Sequence, residues 1–246
     1  MIDLLFTGDE DAKGWFLKWL AYPIKYPGTK MQSASVLWSI EQGIGKSTLG
    51  YIMGDIYGKN FQKVTQRELH SPFNSWMVNK QFIMAEEIVG SESRRDRDQL
   101  KELITQQTTH VNEKFQPAYM VEDRANYLLT SNHADAVFLD RYDRRFFIHE
   151  IKAKTKPKTF YSRIDKWRKS GGAGHLFEYL SNFDTADFSP YAPAFVTGAK
   201  EEMIAENRSD LEEFAFRLRD DADHVLQMDG VKADRDLFTL KELRCF

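Results

Sequence analysis

Gly43, Gly45, Lys46, Ser47 and Thr48 stand together in the run Leu37-Trp-Ser-Ile-Glu-Gln-Gly-Ile-Gly-Lys46-Ser47-Thr48. A short apolar stretch, Ser35 to Ile40, precedes the glycines. Leu49, Ile52, Met53, Ile56 and Tyr57 follow at helical spacing, and Gly58 ends the pattern. A glycine turn between a strand and a helix lets backbone N–H groups point inward and cradle phosphate oxygens. The helix presents its positive end to the same anion. In that setting Lys46 reaches the β- and γ-phosphates and Ser47 holds Mg2+. The expected ligand is a nucleoside triphosphate, held by Gln42, Gly43, Ile44, Gly45, Lys46, Ser47 and Thr48. One departure is plain: Ile40 stands where the usual pattern has its first glycine.

Cleaving a phosphoanhydride also needs a second metal contact, an activated water and a sensor of the terminal phosphate. Glu86 and Glu87 close the apolar run Gln81-Phe-Ile-Met-Ala85. Strand ends of that kind carry ligands in open α/β sheets. Glu86 is assigned to the metal and Glu87 to the attacking water. Asn132 follows the apolar run Asn126–Thr130, where its amide can bond both the γ-phosphate and the water. Asp143-Arg144-Arg145 precedes a fourth apolar run. An arginine there can fork onto a phosphate of a neighbouring subunit, with Arg144 placed first, Arg145 second and Arg141 third. The alternative for these arginines is an ion pair with Asp140 or Asp143. Lys114 and Phe115 lie on a turn or hairpin spanning Val111–Tyr119, a pairing that suits a single-stranded nucleic-acid backbone.

The elements that must position these groups are legible as periodicities. Trp15, Phe16, Trp19 and Leu20 give a helix over 11–22 with an aromatic core face, and Pro23 is expected just past its end. Strands are expected near 35–40, 81–85, 126–130 and 145–151, with a helix near 93–108 whose inner face is Leu100, Leu103 and Ile104. Strands separated by helices make a mostly parallel α/β sheet. After Lys158 helices dominate: Phe160–Lys169, His175–Asn182, Thr197–Asn207 and Asp210–Arg219, with a further helix start at Leu237. The expected organisation is an N-terminal helical segment over 1–30, a core over 31–155 and a C-terminal helical region over 156–246, whose closing helix start leaves truncation open.

The 246 residues are 42% hydrophobic and 29% charged, ordinary for a water-soluble globular chain. A net charge of −3 gives no global basic field, so any nucleic-acid contact must be local. The single cysteine, Cys245, excludes an internal disulfide and points to a reducing compartment. No apolar run reaches transmembrane length and no secretion signal opens the chain, so a cytoplasmic protein with no membrane contact is expected.

Taken in order, Gln42–Thr48, Phe82–Glu87, Lys101–Thr105 with Val111–Lys114, Tyr127–Asn132 and Asp143–Phe146 resemble superfamily 3 helicases. More narrowly, they are similar to the helicase-like domain of phage and plasmid primase–helicases, which are AAA+ ATPases. The resemblance covers roughly residues 11–205. It implies an AAA+ P-loop core, with a phosphate loop over residues 40–47, an acid pair at Glu86 and Glu87, and a sensor at Asn132. It further implies ATP and Mg2+ as ligands, a pore hairpin bringing Lys114 and Phe115 to single-stranded DNA, and a hexameric ring in which Arg144 meets the next subunit's nucleotide. The implied activity is a DNA-moving ATPase of phage or plasmid replication, with any primase or polymerase part on sequence outside this chain. Two rivals stand beside it: a non-motor AAA+ switch, and a degenerate scaffold for a primase–polymerase.

Overall fold

Four apolar runs and one largely polar edge strand align side by side in the computed structural model, which describes residues 1–89, 94–137, 139, 142–206 and 214. Met1–Ile204 forms one compact unit and Ala205–Phe246 a second. The helices expected over Asp210–Arg219 and from Leu237 lie outside the described residues, as does Arg141.

The sheet is built from β1 (Ala34–Trp38), β2 (Phe61–Thr65), β3 (Phe82–Glu86), β6 (Asn126–Ser131) and β7 (Phe146–Glu150). Its order is β2-β3-β6-β1-β7, and every pairing is parallel. Strands covered on both faces read as continuous apolar runs, and every residue of β1 and β6 is buried. One sheet face, with Leu37, Phe82, Leu128 and Phe147, packs on helices α2 (Glu10–Lys25), α3 (Lys46–Tyr57) and α7 (Ala173–Asn182). The other, with Val36, Ile83, Leu129 and Ile148, packs on α5 (Arg94–Thr105) and α8 (Gly198–Glu206). An antiparallel hairpin of β4 (Thr108–Val111) and β5 (Tyr119–Glu122) stands apart from the sheet. Short α1 (Ile2–Leu5) and α4 (Gln66–Leu69), and α6 (Lys158–Trp167), complete the described elements named here.

Several sequence expectations shift. Helix α2 runs on to Lys25 with Pro23 inside its last turn. Proline removes one helical N–H there, the turn still closes through Tyr26 N–H to Tyr22 O at 2.9 Å, and the Pro23 carbonyl accepts from Gln81 Nε2 at 3.2 Å. Strand β1 stops at Trp38, and Ile40 is 79% exposed in the following loop. Helix α5 ends at Thr105 rather than near 108, because Thr108 already pairs in β4; Leu100, Leu103 and Ile104 are buried as its periodicity requires. β2 was not expected at all. It is an edge strand in which only Val64 is buried. The C-terminal helices start and stop within two residues or so of their expected places, α6 and α7 being joined by a kinked turn with Gly171 at φ 90°. Among the described residues no helix is long and apolar enough to cross a membrane.

Candidate nucleotide site at the C-terminal edge of the sheet

All five strands run the same way, so the segments leaving their C-terminal ends share one edge. The loop 39–45 leaves β1 there and turns at once into α3. Gly43 and Gly45 sit at φ 74° and 110°, a region closed to most side chains. Gly45 has a second reason to lack a Cβ: one built there would lie 2.8 Å from the Met1 thioether. The two glycines thus produce the turn on which a phosphate cradle depends.

Lys46, at the first position of α3, is buried and turns back over this loop. Its ammonium donates to Ser39 Oγ at 2.5 Å and to Asn132 Oδ1 at 2.9 Å. Burial lowers its pKa from 10.5 to about 8. A cation held by two neutral oxygens in a partly dry site is poised for an anion. Lys46 opens the helix that follows β1 and Asn132 directly follows β6, so the β1–β6 pairing brings the two together.

The acids occupy the neighbouring position. Glu86 ends β3, and its carboxylate is paired with the Lys63 ammonium of β2. Lys63 also donates to Tyr51 Oη on α3 at 2.9 Å. Glu87 follows at φ 56°, exposed, a conformation that costs a non-glycine residue about 1 kcal/mol or more. The exit of β3 is fastened to that of β6: Ile88 N–H donates to Thr130 O at 3.0 Å, and Ser131 Oγ donates to Ile88 O at 2.5 Å. Lys46, Ser47, Glu86, Glu87 and Asn132 therefore lie along one edge.

A stretch of the chain has known counterparts. Residues 37–145 match a family of unknown function, DUF5906. Over 223 residues the chain is 25% identical to a DNA primase-polymerase of Nitratiruptor phage NrS-1, an alignment that takes in 88% of this chain and 30% of the relative. An apo structure of the NrS-1 C-terminal region superposes with a TM-score of 0.75 at 23% identity, covering 88% of this chain and 52% of that one. A second apo structure of that region gives 0.74 at 21% identity, covering 93% and 58%. These likenesses bear on the fold. The chain spans under a third of the curated relative, and neither the family description nor the relative's name mentions a helicase.

The remaining expected residues fall at the other edge. Arg144 and Arg145 precede β7, one strand length, roughly 16 Å, from the glycine loop. Arg145 is committed inside the chain, with Nη1 3.4 Å from the buried Asp143 carboxylate. Arg144 is exposed. The β4–β5 hairpin lies at the same edge, since Asn126 opens β6 just after Glu122 closes β5. Phe115 at its tip is fully exposed, at φ 65°. Lys114 Nζ sits 5.3 Å over the Phe73 ring. Asn74 ties that loop to the hairpin, donating from Nδ2 to His110 O at 2.9 Å and accepting Asn112 N–H at 2.7 Å.

Three participants were not visible in the sequence: Ser39, Lys63 and Phe73. Ser39 is an unremarkable serine until Lys46 bonds to it. The partnership of Lys63 with Glu86 follows from the β2–β3 register, in which Thr65 faces Glu86. Phe73 carried no signal in a polar loop.

Proposed function

We propose that the chain is the nucleotide-binding module of a phage DNA-replication protein of the primase–polymerase kind, with an AAA+-type P-loop core that takes ATP. The observation that carries this is the Lys46 ammonium, buried at the mouth of a positive-φ glycine turn and bonded, among the described residues, to Ser39 and Asn132 oxygens. A terminal phosphate is the ligand that such a cation and the adjoining N-terminus of a 12-residue helix recognise. The strand order, with β1 between β6 and β7, supports the same core.

The base has a place as well. A cavity of about 560 Å3 opens beside α3, lined by Ile2, Leu17, Leu49, Ile52, Phe160 and Trp167, and Met1 borders both it and Gly45. That volume suits a small organic ligand and favours a nucleoside triphosphate over inorganic phosphate.

The residues present fit magnesium. Glu86 is a partly buried carboxylate that already holds a cation, Lys63, and Ser47 is half-buried in the first turn of α3. Mg2+ is commonly held by one or two protein oxygens, its remaining positions being phosphate and water. Ser47 and Glu86 would hold it, and when bound it neutralises charge on the phosphate oxygens. Glu87 would orient a water, and Asn132 would exchange Lys46 for the γ-phosphate.

The phage setting rests on the likeness to the NrS-1 protein, and it favours a module serving a primase–polymerase over a free-standing helicase. A specific observation supports the motor as a second reading: the exposed Phe115 and Lys114, with Phe73 beneath, form a stacking and charge platform for single-stranded DNA. In that reading the subunits form a ring and Arg144 completes a neighbour's site.

Calorimetry with ATP and Mg2+ tests the main reading. Binding in the micromolar to sub-millimolar range is expected, weakened on the order of 100-fold by Lys46→Ala through loss of a charged hydrogen bond. Absence of binding at millimolar ATP would remove it. Hydrolysis stimulated by single-stranded DNA, and losing that stimulation in Lys114→Ala, would promote the motor.

A further inference from the structure

Beyond β7 the sequence reads Lys152-Ala-Lys154-Thr-Lys156-Pro-Lys158, a lysine at every second residue. Between residues 152 and 169 there are eight lysines and arginines against one acid, Asp165, in a chain whose net charge is −3. β7 ends at the same edge as the glycine loop, so this segment emerges beside it. Its backbone is fastened at three points. Ile151 N–H donates to Trp38 O at 2.8 Å, Thr155 N–H to the Glu41 carboxylate at 2.9 Å, and Lys156 N–H to Tyr161 Oη at 3.1 Å. Pro157, at φ −56° and ψ 152°, keeps the chain extended until α6 begins. Ala153 packs inward on the core, while Lys152, Lys154, Lys156 and Lys158 are exposed. Lys152 is paired with Glu150 at 3.2 Å; Lys154, Lys156 and Lys158 make no ion pair among the described residues.

We infer that this strap is a binding site for the phosphate backbone of a single-stranded nucleic acid, separate from the hairpin. In an extended chain, alternate side chains point the same way about 6.6 Å apart, so a row of them can follow one flexible strand phosphate by phosphate. Like charges fixed this close repel one another, and a polyanion relieves that repulsion while releasing its own counterions. A merely solvated basic segment needs no anchoring of its backbone; here the backbone is pinned and the side chains are left free. The hairpin lies at the opposite edge, so the strap engages a different stretch of nucleic acid.

The test is fluorescence anisotropy of a labelled oligothymidylate across a salt series, comparing the whole protein with Lys154→Ala/Lys156→Ala/Lys158→Ala. Three surface changes leave the core intact, and circular dichroism checks this. The triple variant should bind on the order of 100-fold more weakly at about 0.1 M salt, and its plot of log affinity against log salt should be shallower by about 2, at roughly 0.7 per lost phosphate contact. The triple Lys→Arg variant should keep both. Unchanged affinity and slope would overturn the inference. So would equal losses on a duplex of the same length, or a loss of ATP affinity with DNA binding intact, which would assign the lysines to the nucleotide. Lys46→Ala should keep the slope, so failure of the nucleotide reading and failure of this one are separable.

Discussion

The glycine-loop site at one edge of the sheet, and the hairpin tip with Arg144 at the other, handle charge in opposite ways. At the C-terminal edge, Lys46 is spent on Ser39 and Asn132, and Glu86 on Lys63. At the N-terminal edge, Phe115 is fully exposed and Arg144 is left in solvent. On the proposed reading, the first arrangement is preorganised for something small that enters and exchanges for internal partners, and the second offers groups to a strand or another subunit. A buried group costs free energy when unpaired, so enclosed sites keep stand-in partners, whereas exposed ones need none.

The sharpest way to break this contrast is to attack what holds the N-terminal edge in place. Lys30 is buried, and its ammonium donates to Leu103 O at 2.8 Å and Ala125 O at 2.7 Å while facing the Asp123 carboxylate at 3.0 Å. Asp123 lies between β5 and β6 and also accepts from Gln106 Nε2 and Ala125 N–H. Lys30→Ala would strand a buried carboxylate and two carbonyls. We expect a loss of about 3–5 kcal/mol in denaturant unfolding, with amide exchange rising first in the hairpin. A loss below 1 kcal/mol would mean that the hairpin is anchored elsewhere and that the edge is as loose as its tip.

Phe115 tests the exposed side of the contrast. At φ 65° it is strained, a conformation that glycine adopts freely. Phe115→Gly should therefore raise stability by up to about 1 kcal/mol, yet weaken single-stranded DNA binding by about 1–3 kcal/mol through the lost stacking. A variant that is more stable and binds equally well would reduce the hairpin tip to an ordinary turn.

Much of this was legible because it is local. The glycine turn, the apolar runs of β1, β3, β6 and β7, and the inner face of α5 each announce themselves within a dozen residues. β2 did not, since an edge strand with one buried residue has no apolar pattern to show. Its loss hid a consequence: without β2 there is no register to bring Lys63 against Glu86. Lys46 and Asn132 could each be picked out as candidate phosphate contacts, but not their bond to one another, which depends on the side-by-side placement of β1 and β6. Lys30 was invisible for the same reason. Two residues after Pro27-Gly28, a pair that favours a turn, a lysine reads as solvent-facing, and only the fold buries it. The alternating lysines after β7 were not singled out from the sequence, because their meaning depends on the anchoring of the backbone beneath them.

The enclosed edge should reveal itself through pH. In the free protein burial holds Lys46 at about 8, so above that pH it is largely neutral. A triphosphate binds the charged form, and binding at higher pH must take up a proton. Affinity should be level below about pH 8 and fall by up to tenfold per unit above it. Stability runs the other way. Between about 8 and the ordinary 10.5 the unfolded chain holds the proton that folded Lys46 has lost, so this group makes the fold more stable as pH rises through that window, and Lys30, also lowered to about 8 by burial, acts in the same direction. Stacking on Phe115 involves no charge and should show no such break. Calorimetry in buffers of different ionisation enthalpy measures the proton uptake directly, and Lys46→Arg, permanently charged, should abolish it. An ATP affinity in the wild type that stays level up to about pH 9.5 would show that the buried lysine is not the phosphate contact, and the enclosed edge would lose its distinguishing group.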